Sequence, residues 1–372
     1  MRLVQLAAYD GPYPGSSIPM IRAALLEARR RGWHGEAVFA ETARGQKWLG
    51  LFAEEGIPVR ILERGSRREM SGRLRALLDE RPDEPTILHT HFTAYDLPAA
   101  AAARGRRDTS VLWHLHTPPN GTLATALRSR VKFSLYGRGV DAILCVAPHM
   151  AERVARIAPD GRASFFPNGI DTARFARPTP DERRQARAEL GITTTQPLLG
   201  HLAWDWEVKG GDILLEAVER LKARGRPVSL VTRVAAPEVA VAQRDRLGLQ
   251  AEVTILERLE RIQTLYAAVD VFVSPSRSEG MPFAVLEALL SGVPVVASDI
   301  QGHALIAADY PGSRLVPLNP ESLADGVAGL LDEPPAAVAA ETAEASRRIA
   351  ERMSLEAWTR RLFDLYGRSL QG

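Results

Sequence analysis

The stretch SPSRSEGMPFAVLEALLSGVPVVASD, residues 274–299, decides the fold of the second half of the chain. A strand of the buried type, residues 270–274, leads into a polar loop, and the loop turns into an apolar helix. Gly280 lets the backbone approach a ligand, and Pro282 suits a first helical turn because its missing N–H would be unpaired there anyway. The run VPVVAS predicts another buried strand, so the stretch is a strand–helix–strand unit of a parallel sheet.

Two carboxylates flank the start of this helix. Glu279 lies in the loop and Glu287 lies inside the helix, with seven residues between them. The free N–H groups at the helix start and the positive end of its dipole form a site for a phosphate group. Carboxylates on either side can accept hydrogen bonds from sugar hydroxyls. The stretch therefore predicts a pocket for a nucleotide sugar, with two solvated glutamates at a chance spacing as the alternative.

The stretch resembles the E-x7-E signature of the retaining glycosyltransferases of family 4, and the match is almost unbroken along its length. These enzymes have the GT-B architecture. Residues 165–175, FFPNGIDTARF, are similar to the family's segment before the interdomain linker. The C-terminal MSLEAWTRRLFDLYGRSL is similar to the family's closing helix, which crosses back onto the first domain. The resemblance therefore covers nearly the whole chain.

Alternating strands and amphipathic helices in both halves predict an α/β fold with two Rossmann-like doubly wound domains. The resemblance adds an interdomain cleft. We expect an N-terminal, acceptor-binding domain at residues 1–178, completed by the C-terminal helix at 356–372, and a nucleotide-sugar-binding domain at 179–355. A helix at residues 212–223 begins with Asp212 as its N-cap and stops at Gly225. The predicted strands are residues 2–7, 36–40, 58–62, 86–89, 110–114, 142–146, 228–232, 252–256, 271–274 and 294–297, with another starting at Pro197.

Length and composition agree with a two-domain enzyme. A chain of 372 residues exceeds what one core usually supports. No apolar run is long enough for a membrane span and the start lacks a signal-peptide core, so we expect a cytoplasmic protein. The single Cys145 lies in the strand-like AILCVA, which favours a small core side chain over a disulfide or a metal ligand.

The resemblance assigns donor-binding roles around the quoted stretch. Glu279 would be the catalytic carboxylate that hydrogen-bonds the donor sugar, and Glu287 would hold the ribose diol. Arg258 and Leu259 follow the strand where the nucleotide base lies. Gly15 resembles an N-domain glycine that lets the backbone approach the diphosphate, with an ordinary loop glycine as the alternative. The residues that would present backbone to the sugar and diphosphate are Gly280, Met281, Pro282, Phe283 and Ala284.

The diphosphate needs positive charge, and GHLAWDWEVKGGD, residues 200–212, is similar to the family's Gly-Arg, loop, Lys-Gly segment. Lys209 matches the lysine. His201 stands where the arginine is usual, so Arg233 and Arg277 are the candidates that could replace its charge. A later segment, QGHALIAAD, keeps Gly302 at a turn but lacks the family's acidic residue. The chain contains no Asp-x-Asp sequence, and the resemblance implies a reaction without metal.

Histidines at the ends of two N-domain strands are candidates for the reacting end of the pocket. WHLHTPP, residues 113–119, resembles the strand end that carries a histidine at the sugar site, which assigns His116 a catalytic role. His91, together with Tyr13, is an acceptor-binding candidate, and His89 is assigned to the core. The alternation of strand side chains is taken to place His114 opposite His116. No set of histidines, cysteines and carboxylates has the spacing of a zinc site.

These observations predict a retaining, metal-independent hexosyltransferase. It would move a hexose or amino-hexose from an NDP-sugar, with UDP expected, to a hydroxyl of a sugar, aminocyclitol or glycan. The alternatives are an NDP-sugar epimerase of the same architecture and a non-catalytic sugar-binding protein. We expect no cofactor and no nucleic-acid partner. Residues 126–139, ALRSRVKFSLYGRG, predict a basic amphipathic helix whose apolar face, with Leu127, Val131 and Leu135, packs on the N-domain; contact with a membrane surface is the less favoured alternative.

Overall fold

A computed structural model describes residues 1–117, 123–159 and 161–369, with the backbone alone at 123–127. The chain divides into two compact units. Unit 1 comprises Met1–Asp171 and Met353–Gly372, and unit 2 comprises Thr172–Arg352. In each unit the alternating strands and helices form one parallel sheet with helices around it.

Unit 1 has a seven-stranded sheet in the order β3-β2-β1-β4-β5-β6-β7. Its strands are β1 (Arg2–Ala7), β2 (His34–Ala40), β3 (Val59–Leu62), β4 (Thr86–His91), β5 (Thr109–Leu115), β6 (Ala142–Cys145) and β7 (Ala163–Phe165). Its helices are α1 (Ser17–Arg30), α2 (Gly50–Glu54), α3 (Arg67–Asp79), α4 (Asp96–Ala103), α5 (Leu123–Leu135) and α6 (Pro148–Ala155), together with the C-terminal helix described below.

Unit 2 has a six-stranded sheet in the order β10-β9-β8-β11-β12-β13. Its strands are β8 (Leu198–Ala203), β9 (Ser229–Val234), β10 (Val253–Leu256), β11 (Val271–Ser274), β12 (Val295–Ser298) and β13 (Ser313–Val316). Its helices are α7 (Pro180–Glu189), α8 (Gly211–Ala223), α9 (Glu238–Arg246), α10 (Ile262–Ala268), α11 (Phe283–Leu290), α12 (Gln301–Asp309), α13 (Pro320–Asp332) and α14 (Pro335–Met353).

The C-terminal helix, α15 (Leu355–Ser369), packs within unit 1, as the sequence predicts. Trp358 and Tyr366 are fully buried. The ring of Phe363 lies 5.1 Å from that of Trp33, and the Arg31 guanidinium lies 4.6 Å above it. Burial of these large aromatic surfaces fixes the helix against the unit by the hydrophobic effect.

The predicted fold class is confirmed: each unit is a doubly wound parallel sheet. The strands of such sheets are buried on both faces, which explains why they read as continuous apolar runs. Two short edge strands, β7 and β13, were not predicted. The predicted N-cap is also wrong, because Gly210 holds that position with φ 66° and the Asp212 carboxylate instead pairs with Arg277.

Helix α5 does not pack as the sequence predicts. Phe133 is 2% exposed and forms the buried contact, whereas Val131 is 42% and Leu135 is 60% exposed. Lys132 extends to the buried Asp96 carboxylate. The side chain of Leu127 lies outside the described residues. None of the helices in the described part of the chain combines the length and apolar character that a membrane crossing requires.

Candidate functional site

The strand order of unit 2 places a crevice between β8 and β11. These strands are neighbours in the sheet, but the chain runs outward from them in opposite directions. The loops that follow their carboxyl ends therefore diverge, and ligands of open α/β sheets bind at such a point. The loop after β8 carries Lys209, and the loop after β11 carries Glu279. The sequence-predicted residues thus meet at the position that the topology favours for a ligand.

Glu279 is held from two sides. The Lys209 ammonium forms an ion pair with Glu279 Oε1, and the Ser276 hydroxyl donates to the same oxygen over 2.7 Å. The Lys209 ammonium also lies 5.6 Å from the ring centre of Trp204, which is 63% exposed. The side chains of Lys209 and Glu279 are both mostly buried, and each compensates the charge of the other. An anionic ligand would compete with Glu279 for the lysine.

Glycines allow the loops to approach each other. A Cβ atom at Gly210 would lie 1.9 Å from the Pro275 carbonyl oxygen, and one at Gly302 would lie 2.7 Å from the Glu279 carbonyl oxygen. Gly210 also has positive φ, which L side chains rarely adopt. Gly302, at the start of α12, therefore keeps the backbone close to Glu279.

Helix α11 begins directly after the Glu279 loop, with Pro282 at its N-cap. Gly280, Met281 and Pro282 are buried, and Phe283 and Ala284 are half-buried. The N-terminal N–H groups of this helix have no partners within it, so they are available to an anion. The backbone predicted to face a sugar and a diphosphate lies beside the Lys209–Glu279 pair.

Glu287 is 6% exposed and lies on α11. The hydroxyl of Tyr266, on α10, donates to Glu287 Oε2 over 2.9 Å and lies 3.2 Å from the Ala284 carbonyl oxygen. Burial, followed by the nearby Glu287 charge, raises the pKa of Tyr266, so the phenol keeps its proton. Tyr266 orients the carboxylate, and no sequence pattern marked it for this role.

The position of the usual arginine is occupied by a neutral group. His201 is buried, with Nδ1 2.9 Å from the Thr232 hydroxyl and Nε2 3.2 Å from the Lys209 carbonyl oxygen. Burial lowers the pKa of His201 to about 4. It therefore supports the Lys209 backbone without adding charge. Arg277 does not replace the charge either, because its guanidinium holds both oxygens of Asp212, at 2.8 Å and 2.7 Å.

The remaining donor-side candidates lie along the same edge of the sheet. Arg233 is half-buried near the end of β9, in register with Leu202 of β8 and Leu256 of β10. Arg258 is exposed and Leu259 is buried in the segment after β10, two strands from β8. Their contacts with a donor remain predictions.

His303, on α12, is a further polar group that sequence reasoning missed. It is buried, with Nε2 3.0 Å from the Ser274 hydroxyl and Nδ1 2.8 Å from the Ser298 carbonyl oxygen. Burial lowers the pKa of His303, and the Glu279 charge partly offsets this effect. The histidine thereby connects the ends of β11 and β12 beneath the Glu279 loop.

Unit 1 has an equivalent crevice between β1 and β4, the strands at which its order reverses. The loop after β1 contains Tyr13 and Gly15. The Tyr9 hydroxyl donates to the Tyr13 carbonyl oxygen over 2.7 Å, and the Tyr9 ring stacks on Phe92, with ring centres 5.9 Å apart. Gly15 has φ 52°, and a Cβ there would lie 2.8 Å from the Tyr9 hydroxyl oxygen, so the loop itself requires a glycine.

Beyond β4, Phe92 has φ 64° and is the one non-glycine residue with positive φ among those that the structure describes. Such backbone is strained and clusters at functional sites. The Phe92 ring lies 5.0 Å from that of His116, and His116 Nε2 lies 3.1 Å from His91 Nδ1. The catalytic and acceptor-side candidates of unit 1 are therefore neighbours.

His114 lies on the same side of β5 as His116, with ring centres 4.4 Å apart. The expectation that they point apart was wrong, because side chains two residues apart on a strand share a face. Cys145 is buried, which raises the pKa of its thiol to about 12, as expected of a core side chain. Pro118 and Pro119 of the WHLHTPP segment lie outside the described residues.

Two family models match the chain. The model for group 1 glycosyl transferases matches residues 197–333, and that for glycosyltransferase family 4 matches residues 37–174. The D-inositol 3-phosphate glycosyltransferase of Mycobacterium avium (strain 104) is 31% identical over 298 residues, which cover 75% of this chain and 69% of that protein. The EpsF protein of Bacillus subtilis (strain 168) is 37% identical over 141 residues, but these cover only 37% of this chain and 36% of EpsF.

Among solved structures, the Anabaena protein HepE in complex with UDP and glucose is similar over 99% of this chain and 100% of its own. The TM-score is 0.82 at 19% sequence identity. At this identity the likeness shows a common fold.

Proposed function

The chain belongs to the group 1, family 4 glycosyltransferases, and on that premise we propose that it transfers a hexosyl or amino-hexosyl group from a UDP-sugar, with retention of configuration. The observation that carries the proposal is the meeting of Lys209, Glu279 and the start of α11 at the strand-order reversal of unit 2. A cation, a carboxylate and free N–H groups at one place suit a sugar diphosphate.

Each group has a defined task in this proposal. Lys209 leaves Glu279 for the diphosphate, where it and the N–H groups of α11 stabilise the charge that develops on the leaving group. Glu279, still held by Ser276, accepts hydrogen bonds from sugar hydroxyls. Glu287, oriented by Tyr266, accepts from the ribose diol.

In the transfer step, the bond between the anomeric carbon and the diphosphate oxygen breaks. A bond to the acceptor hydroxyl oxygen forms on the same face of the sugar, and the hydroxyl proton passes to the departing diphosphate. No charge-neutralising metal is needed at the diphosphate, because Lys209 and the helix start provide positive charge. In unit 1, His116 is the proposed catalytic histidine, and His91 with Tyr13 is assigned to the acceptor.

The names of the relatives support a class of acceptor. Relatives named D-inositol 3-phosphate glycosyltransferases support a hydroxyl of a small polyol or its phosphate, alongside aminocyclitol and glycan acceptors. The UDP complex of HepE supports UDP as the nucleotide.

The test is a thermal-shift screen of UDP-, GDP- and ADP-sugars, followed by transfer assays with inositol phosphates, aminocyclitols and oligosaccharides. We expect one UDP-sugar to raise the melting temperature and to give a product whose anomeric configuration, read by NMR, matches the donor. NDP release that is equally fast without any acceptor would indicate the epimerase alternative. Donor binding without turnover for every acceptor would indicate a sugar-binding protein.

A further inference from the structure

Four histidines lie together on one face of the unit 1 sheet. They are His89 and His91 of β4 and His114 and His116 of β5, here called the histidine cluster. β4 and β5 are adjacent and parallel, with His91 in register with His114. Because residues two apart on a strand share a face, all four imidazoles project to one side of the sheet, where His89 contacts Tyr366 of α15. Ring centres of neighbouring members lie 4.4–5.4 Å apart.

The inner part of the cluster contains unpaired nitrogens. His89, His91 and His114 have no exposed surface. Within the described residues, His89 Nε2 and both ring nitrogens of His114 are buried and make no hydrogen bond of normal geometry, although the Phe166 backbone acts on the His114 imidazole as a weak acceptor. A neutral imidazole carries one N–H donor and one lone-pair nitrogen. Burying either of them without a hydrogen-bond partner is unfavourable. His114 has both ring nitrogens in this state and His89 has one, and with His91 beside them these nitrogens point to a ligand.

We propose that His89, His91 and His114 bind one transition-metal ion of the Zn²⁺ class. One ligand nitrogen from each residue lies within 4.8 Å of the others. Tetrahedral coordination at about 2.0–2.1 Å places ligand nitrogens roughly 3.3 Å apart, so the rings must close by at most about 1.5 Å.

Neighbouring groups already orient two of the rings. His91 Nε2 lies 2.6 Å from Gln5 Oε1, which accepts its N–H and leaves Nδ1 as the lone-pair nitrogen. His89 Nδ1 lies 2.6 Å from the Tyr366 hydroxyl oxygen. With a metal on His89 Nε2, the Nδ1–H donates to Tyr366. Metal-binding histidines typically use their second nitrogen in this way.

The donor set selects the metal. The three donors are imidazole nitrogens, which coordinate metals in the neutral form. Neutral nitrogens suit Zn²⁺, Ni²⁺, Co²⁺ or copper rather than Mg²⁺ or Ca²⁺, which prefer oxygen. His116 lies outside this three-histidine set, and with His91 on the metal the acceptor would be left to His116 and Tyr13. Such a site would tie β4 to β5 within unit 1, with His89 held to Tyr366 of α15.

The experiment uses the untagged full-length chain, stripped of metal by dialysis against a chelator. Titration with Zn²⁺ and then Co²⁺ should give one ion per chain, a higher melting temperature and the visible bands of nitrogen-bound tetrahedral Co²⁺. His89→Gln and His114→Gln should lose the ion and the melting shift, whereas His149→Gln, a half-buried histidine on α6, should retain both. Tyr366→Phe should weaken the metal affinity by about 10–100-fold, because the second nitrogen of His89 loses its partner.

Two results would overturn the proposal. The first is a metal content of less than one ion per wild-type chain, regardless of the results for the variants. The other is folded His89→Gln and His114→Gln proteins that bind Zn²⁺ as tightly as the His149→Gln control. If either cluster variant fails to fold, X-ray absorption of the wild-type Co²⁺ form decides the question. Scattering from at least three imidazoles supports the site, and an oxygen-only shell contradicts it.

Discussion

Gly210→Ala should disable the donor site without removing any functional side chain. A Cβ at position 210 would lie 1.9 Å from the Pro275 carbonyl oxygen, whereas real Cβ contacts stay above 3.0 Å. The loops after β8 and β11 must therefore separate by at least about 1.1 Å, the difference between these distances. They are the loops that bring Lys209 to Glu279. A misplacement of about 1 Å can lower the rate by about 100-fold.

Gly225→Ala is the matched control. Gly225 also has positive φ, 71°, but a Cβ there meets nothing within 4 Å. Both variants should lose roughly 1–2 kcal/mol of unfolding free energy, the cost of a left-handed conformation in an L residue. Gly210→Ala alone should lose stability beyond this shared amount, and it alone should lose about 100-fold in kcat/KM. Urea titrations and initial rates measure the two effects. A Gly210→Ala rate equal to that of Gly225→Ala would refute the claim that loop approach builds the site.

Three further predictions concern pH, metal and lipid. Because burial lowers the pKa of His201 to about 4, unfolding in acid takes up a proton there. The stability contributed by this residue is nearly complete at pH 7, falls by about 2 kcal/mol between pH 7 and pH 5, and continues to fall to about pH 4. Urea titrations of wild type and of His201→Asn, which should lose this dependence, check it. Transferase activity should survive brief EDTA treatment that leaves the circular dichroism unchanged, and a loss restored by Mg²⁺ would contradict the charge assignment. The protein should sediment with anionic vesicles at low salt and not at physiological salt. The exposed Arg128, Arg130 and Leu135 would make the contact, and each cation would add about 1 kcal/mol. Strong binding at physiological salt that is abolished by Arg128→Ser with Arg130→Ser would instead indicate a lipid-linked acceptor.

Sequence patterns were sufficient for the framework of both sheets. Apolar runs placed β1 and β11 at their observed bounds, since central parallel strands are buried on both faces. The edge strands β7 and β13 were missed because they are short and partly exposed. Their backbone pairing to β6 and β12 decides their conformation, and pairing leaves little trace in the sequence.

The site was predictable where a local motif carries it. The Glu279 loop and Lys209 were assigned from local segments that resemble family motifs, and the sheet order explains why they meet. Tyr266 and His303 could not be found, because their contacts with Glu287 and with the ends of β11 and β12 depend on tertiary packing. The histidine cluster was missed for a similar reason: two pairs on separate strands have no zinc-type spacing, and only their register brings them together.

Calorimetric binding of UDP and of the UDP-sugar found by the thermal-shift screen tests the division of roles between Glu279 and Glu287 most directly. Loss of a hydrogen bond to a charged group is worth roughly 1.5–3 kcal/mol, or about 10–150-fold in affinity. Glu287→Gln should weaken both ligands by a similar factor of this size, because both contain the ribose. Glu279→Gln should weaken the UDP-sugar relative to UDP by this factor, whereas the affinity for UDP itself should not fall, because the variant no longer competes with the diphosphate for Lys209. Equal losses for both ligands in both variants would contradict the account.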